Sequence, residues 1–181
     1  PNEYVATSDD GGMNFSGDQL VSDRYLDPRN VKMPEPNDHG ETIWRRYLLN
    51  IHQGFFESQI STDGIHFVPE EGVRYDPPNS DNIGVYTTFA TETGRSGLLY
   101  IGDIGTTDGN VRLAYSEDNG ETFQLADENP LGDAGTHDAG MNQRDPYAIV
   151  LDDGTIKVFT MVQGGPQAPH PGHRSVGYVY S

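Results

Sequence analysis

The sequence predicts an all-β protein organised as a β-propeller, with about three blades of a five- or six-bladed ring in its 181 residues. Each blade would hold four antiparallel strands. Three observations predict this. First, a short polar hairpin turn closed by an aromatic recurs, as Ser8-Asp9-Asp10-Gly11-Gly12-Met13-Asn14-Phe15 and Ser116-Glu117-Asp118-Asn119-Gly120-Glu121-Thr122-Phe123, with a copy one residue shorter at Ser61-Thr62-Asp63-Gly64-Ile65-His66-Phe67. In such a turn the Asp carboxylate accepts hydrogen bonds from the turn's own N–H groups, and Gly supplies a positive φ. Second, each copy follows a strand-like run, and the turn serines at 8, 61 and 116, with Ser181 in the same context, recur at roughly the 40–50-residue period of a four-stranded blade plus its loops. Third, the chain is only 34% hydrophobic and holds 22 Gly and 12 Pro, a turn-rich composition without sustained helical periodicity.

Taken in order, residues 1–25 read as the last two strands of a blade, joined by the first turn. Residues 27–75 form a blade opening on Asp27-Pro28, with a first strand interrupted by Pro34 and Pro36, then Thr42–Leu49 and Phe55–Ile60. Residues 76–125 form the next, opening on Asp76-Pro77, with strands over Gly84–Thr91, Gly97–Ile104 and Asn110–Tyr115. Residues 145–181 open on Asp145-Pro146 and supply Tyr147–Leu151, an Asp152-Asp153-Gly154 turn, Thr155–Thr160 and Ser175–Tyr180; Asp-Gly between two such runs is a hairpin signal. Two whole blades with half of one before and most of one after cannot close a ring. Further blades or a second chain are therefore expected to complete it, because an open array leaves sheet edges bare.

Composition excludes several functions. A formal charge of −17 argues against binding nucleic acid or anionic membranes. The acidity fits solubility or cation binding, and the sequence leaves both open. Zero cysteines exclude thiol catalysis and thiolate metal sites. No run has the length of a membrane span, and neither a His-x-x-x-His helix nor a nucleophile elbow is present. No cofactor is implied, since no motif supports calcium or another metal.

The turns resemble the Asp-box of sialidase-like propellers, Ser-x-Asp-x-Gly-x-x-Phe/Trp, matched in full by Ser8, Asp10, Gly12, Phe15 and by Ser116, Asp118, Gly120, Phe123. Arg144-Asp145-Pro146 with the strand after it is similar to the Arg-Asp-Pro segment of five-bladed-propeller glycoside hydrolases, the clan of invertases, levansucrases and arabinanases. The resemblance implies a propeller acting on an extracellular or periplasmic glycan. The nucleophile and acid segments of that clan and the Phe-Arg-Ile-Pro segment of true sialidases are not in this sequence, so they would lie in other blades or have been lost. Asp-boxes also occur in non-enzymatic proteins, which keeps open a glycan-binding or scaffold module.

In a propeller of this kind the Asp-box turns share one face, and ligands bind on the other. That other face is expected to hold Asp27, Asp76, Arg144, Asp145, His52, Gln53, Asp103, Asp108, His170, His173 and Arg174, with a 127–143 loop carrying His137 and Asp138 overhanging it. Glycosidic cleavage needs two carboxylates flanking the bond. Asp145 and Asp103 are the catalytic candidates. By the resemblance Asp145 would stabilise the transition state, with Arg144 holding hydroxyls or tuning it. Arg144, His52, Asp108, His137, Asp138 and His173 are the substrate-binding candidates, and none is assigned to a metal. Asp10, Asp63 and Asp118 are structural by this reading, and Trp44 and Tyr47 suit core packing better than sugar stacking.

Overall fold

The computed structural model describes residues 3–22, 25–78, 83–103, 110–127, 141–164 and 174–176. These form four antiparallel sheets and, among the described residues, no helix. Sheet I pairs β1 (Glu3–Thr7) with β2 (Ser16–Ser22) across the first Ser-Asp-Gly turn. Sheet II has the order β3 (Tyr25–Lys32), β4 (Trp44–Asn50), β5 (Phe55–Ser61), β6 (Val68–Pro69). Sheet III repeats it with β7 (Tyr86–Ala90), β8 (Ser96–Gly102), β9 (Asn110–Ser116) and β10 (Gln124–Leu125). Sheet IV has β11 (Met141–Val150), β12 (Ile156–Gly164) and β13 (Arg174–Val176). The weak first strand of the 27–75 unit is β3, and it ends at Lys32, before Pro34 and Pro36 reach it. Both of the four-stranded sheets end on an edge strand of only two residues, which limits the unpaired backbone they present.

Register fixes which positions correspond between sheets. The turn serines Ser61 and Ser116 stand opposite Trp44 and Ser96, so Arg45, Tyr47 and Leu49 match Gly97, Leu99 and Ile101. In sheet II a bulge sets Asp27 and Pro28 against Leu48, between the pairs Leu26–Leu49 and Arg29–Tyr47. Sheet IV has the same bulge, with Asp145 and Pro146 against Thr160, between Arg144–Met161 and Tyr147–Phe159. Sheet III has none there, because Tyr86 pairs singly with Tyr100. Asp76-Pro77 therefore does not mark the same position as the other two Asp-Pro pairs. It follows the isolated bridge Tyr75–Phe56, well upstream of β7.

The core lies between sheets. Val31, Met33, Tyr47, Leu49, Phe56 and Tyr75 of sheet II close on Tyr86, Leu98, Tyr100, Ala114 and Phe123 of sheet III. The rings of Phe56 and Tyr86 meet edge-on at 4.9 Å, and the Tyr86 hydroxyl donates across the gap to the Tyr47 carbonyl at 2.9 Å. The other face of sheet III sends Leu99, Ile101 and Val111 against Val158 of sheet IV. This explains β8, Ser-Gly-Leu-Leu-Tyr-Ile-Gly, in which all seven residues are buried: a strand with a core on each face shows a continuous apolar run instead of alternation. The first strands are neighbours, with β3 against β7 and β7 against β11.

Candidate functional site

The three turns have one internal design. Ser8, Ser61 and Ser116 donate to Asp10, Asp63 and Asp118 at 2.8, 2.8 and 2.6 Å, and the serine oxygens accept from Gly12, Gly64 and Gly120 N–H at 2.8, 2.9 and 3.0 Å. The aspartates accept backbone N–H groups from the far side of the turn, such as Asn14 at 2.9 Å and Thr122 at 2.9 Å. The backbone N–H of Asn14, ahead of its amide and the Ser8 hydroxyl, holds the Asp10 carboxyl at about 2. For Asp63 the His66 side chain is the largest influence, and it holds the carboxyl well below the ordinary range. These carboxylates are occupied in holding their turns.

The turn at Ser116–Phe123 also joins two sheets. Arg45 of β4, only 2% exposed, donates to the Asn119 carbonyl, and the Tyr47 hydroxyl donates to the Gly120 carbonyl at 2.9 Å. Asn119 exchanges hydrogen bonds with the Glu35 backbone, and the Phe123 N–H donates to the Arg74 carbonyl at 2.9 Å. The Phe123 ring meets Tyr47 edge-on at 5.4 Å. Arg45 is neutralised in place by a two-pronged pair with Glu70 at 2.7 and 2.8 Å, and Ser58 donates to the same carboxylate at 2.6 Å. Burial alone would raise the Glu70 carboxyl, but the Arg45 and Ser58 hydrogen bonds outweigh it and bring it below its usual value. Sequence reasoning did not find this pair. Arg45-Arg46 in an alternating strand reads as solvated charge, and only the register shows which of the two faces inward.

The strand directions put the β4–β5 and β8–β9 connections at the end opposite the turns, with Asn50, His52 and Asp103. Among the described residues, four non-glycine positions have positive φ: Asp27 (47°), Asp103 (52°), Asn119 (55°) and Asp145 (46°). Asn119 belongs to a turn. The three aspartates lie on the first strands or at the opposite rim, where left-handed backbone is a local strain that short polar side chains tolerate.

Asp145 is exposed, and its twin by register is Asp27. Beside it, Arg144 is half-buried, and its Nη1 has no hydrogen-bond partner among the described residues. Asp103 stands on sheet III in an ion pair with Arg112, both about a fifth to a quarter exposed. Behind that pair the Tyr75 and Tyr100 hydroxyls lie 3.1 Å apart, and burial pushes both phenols up. The His52 side chain is exposed, and its backbone N–H donates to Asn50 Oδ1 at 3.2 Å. Asn50 also holds Gln53 at 2.9 Å. Asp108, His137, Asp138, His170 and His173 lie outside the described residues, as does the Arg174 side chain. Tyr47 is core. Trp44 is half-buried against Gly64, where an added Cβ would come within 3.3 Å of the indole. Among the described residues no group of three or more His, Asp or Glu side chains is arranged to hold a metal ion.

Two grooves run between sheets on the turn side. One, of about 760 Å³, lies between sheets I and II around Arg46, whose guanidinium sits 3.8 Å over the Phe67 ring. The other, of about 480 Å³, lies between sheets III and IV along Phe89, Leu113 and Tyr115. Neither is lined by Asp145 or Asp103. No protein-family model matches the chain, and no curated protein matches it in sequence.

Proposed function

We propose that the chain is a segment of a carbohydrate-active β-propeller, a glycoside hydrolase that works on an extracellular glycan through paired carboxylates. The successive sheets with neighbouring first strands support the propeller reading. The observation that carries the functional reading is the set of left-handed aspartates, Asp27, Asp103 and Asp145, on the inner strands or the rim away from the turns. Bulges and strained backbone re-aim side chains at sites of chemistry.

In this reading Asp145 stabilises the oxocarbenium-like transition state, and Arg144 binds hydroxyls beside it. A second carboxylate, with Asp103 as the candidate here, completes the pair at about 5–5.5 Å for retention or about 6.5–9.5 Å for inversion. Such chemistry needs no cofactor. Further sheets or another chain complete the ring. The test is Asp145→Asn in the complete protein, assayed for reducing-end release from a panel of glycans. Turnover should fall by about 10²-fold or more, the scale on which a positioned catalytic carboxyl acts. Unchanged turnover removes Asp145 from the mechanism.

A second reading is favoured by two observations: Asp145 has a twin in Asp27, and Asp103 is engaged with Arg112. Both suit a non-catalytic glycan-binding or scaffold propeller in which Asp-Pro shapes a first strand. Calorimetric binding of a glycan without turnover in the wild type selects it.

A further inference from the structure

The contact between sheets II and III is made from one face of a sheet and one Ser-Asp-Gly turn, and the molecule carries a second half of each kind with nothing against it among the described residues. By register, Lys157, Phe159 and Met161 of β12 occupy the positions of Arg45, Tyr47 and Leu49, while Tyr147 and Ile149 occupy those of Arg29 and Val31. Val158, Ala148 and Ile156 point into sheet III, so the alternate residues face away from it. Tyr147 is 59% and Ile149 40% exposed. At the other end of the row, the Ser8–Phe15 turn matches Ser116–Phe123 in length and internal hydrogen bonds. Yet Phe15 is 66% exposed where Phe123 is 9% exposed.

We propose that the outward face of sheet IV receives the Ser8–Phe15 turn of a second copy of this chain, in a head-to-tail contact that repeats the one between sheets II and III. The inference rests on the propeller reading and names what completes the row. Phe15 sits on Phe159 as Phe123 sits on Tyr47. The Lys157 ammonium takes the Gly11 carbonyl, which stands where Asn119 presents its own to Arg45. Gly12, where an added Cβ would meet nothing within 4 Å, takes the place of Gly120 and finds its neighbour in the partner. The contact is heterologous, so a two-copy ring needs it twice. Two chains of charge −17 repel, and association should strengthen with salt.

Sedimentation of the wild type, Phe15→Asp and Lys157→Glu in about 0.3 M salt, where repulsion between exposed charges is largely screened, tests this. Circular dichroism checks that each variant is folded. The wild type should sediment at twice the 19.9 kDa of one chain, and each variant alone at 19.9 kDa. An equal mixture of the two variants should recover dimer, because one of its two contacts is intact. A larger assembly lost in both variants also supports the contact, as an open head-to-tail array. A monomeric wild type, a dimer indifferent to both changes, or no recovery on mixing overturns the proposal. If the wild type is monomeric and Phe123→Ala still lowers stability by urea unfolding, the turn-on-sheet reading stands and only the second copy is lost.

Discussion

Gly120→Ala isolates the contact that ties one sheet to the next. Gly120 has φ 78°, and a Cβ there would fall on the Tyr47 hydroxyl and 2.8 Å from Met33 Cε, both in the core between sheets II and III. The left-handed backbone alone costs an L-residue about 1–2 kcal/mol. Displacing the Tyr47 hydroxyl breaks its hydrogen bond to Gly120, worth about 1 kcal/mol net, and forces repacking of about 1–3 kcal/mol. The expected loss is about 3–6 kcal/mol. Gly154→Ala is the control: φ is 83° in the β11–β12 turn, and nothing lies within 4 Å of the new Cβ, so only the backbone cost of about 1–2 kcal/mol applies. Urea unfolding followed by Trp44 fluorescence gives both values. If Gly120→Ala costs no more than Gly154→Ala, the turn does not press on Tyr47 and the inter-sheet contact is wrong.

Arg45→Met leaves the mostly buried Glu70 carboxylate without its cation and should cost about 3 kcal/mol by urea unfolding. Adding Glu70→Gln should restore part of that loss; strictly additive losses would show that the two side chains are not coupled. Phe123→Ala should cost about 3 kcal/mol or more, and a cost under about 0.5 kcal/mol would place the ring outside the core. Acid should destabilise the fold in a set direction. Glu70, Asp118 and Asp10 have folded values below their ordinary 4.5, 3.8 and 3.8. Their stabilisation is present above those values and is lost as pH falls through the folded ones, towards about 2 for Asp10. The urea midpoint should therefore decline steadily below about pH 4.5, and a midpoint that rises with acid contradicts the assignment.

Strand type and order were legible because the hairpin chemistry repeats. A serine, an aspartate and a glycine at fixed spacing make their own hydrogen bonds, so the turn can be read without its tertiary surroundings. The Asp-Pro marker was less reliable. Two copies sit on equivalent bulges, but Asp76-Pro77 does not, and Tyr86 fills the corresponding place without a bulge. The clue was its distance to the next turn serine, 40 residues from Asp76 to Ser116 against 34 from Asp27 to Ser61 and 36 from Asp145 to Ser181. What could not be read was the interface: Arg45 and Glu70 are far apart in sequence, and their pairing depends on which face of β4 meets the next sheet. The sequence offered Asp145 and Asp103 as candidate carboxylates, from Asp before Pro and Asp after a strand, but it did not show the left-handed backbone that both adopt. The engagement of Asp103 by Arg112 is tertiary and had no such signal.

A nuclear Overhauser spectrum of the labelled chain across Tyr47 and Phe123, whose ring centroids lie 5.4 Å apart, tests directly whether the turn seats on the neighbouring sheet. Ring-to-ring cross-peaks, together with slow exchange of the Gly120 N–H held by the Ser116 hydroxyl, are the predicted result. Their absence in a folded sample would mean that the turn of one sheet does not seat on its neighbour, and the repeat would lose its architecture.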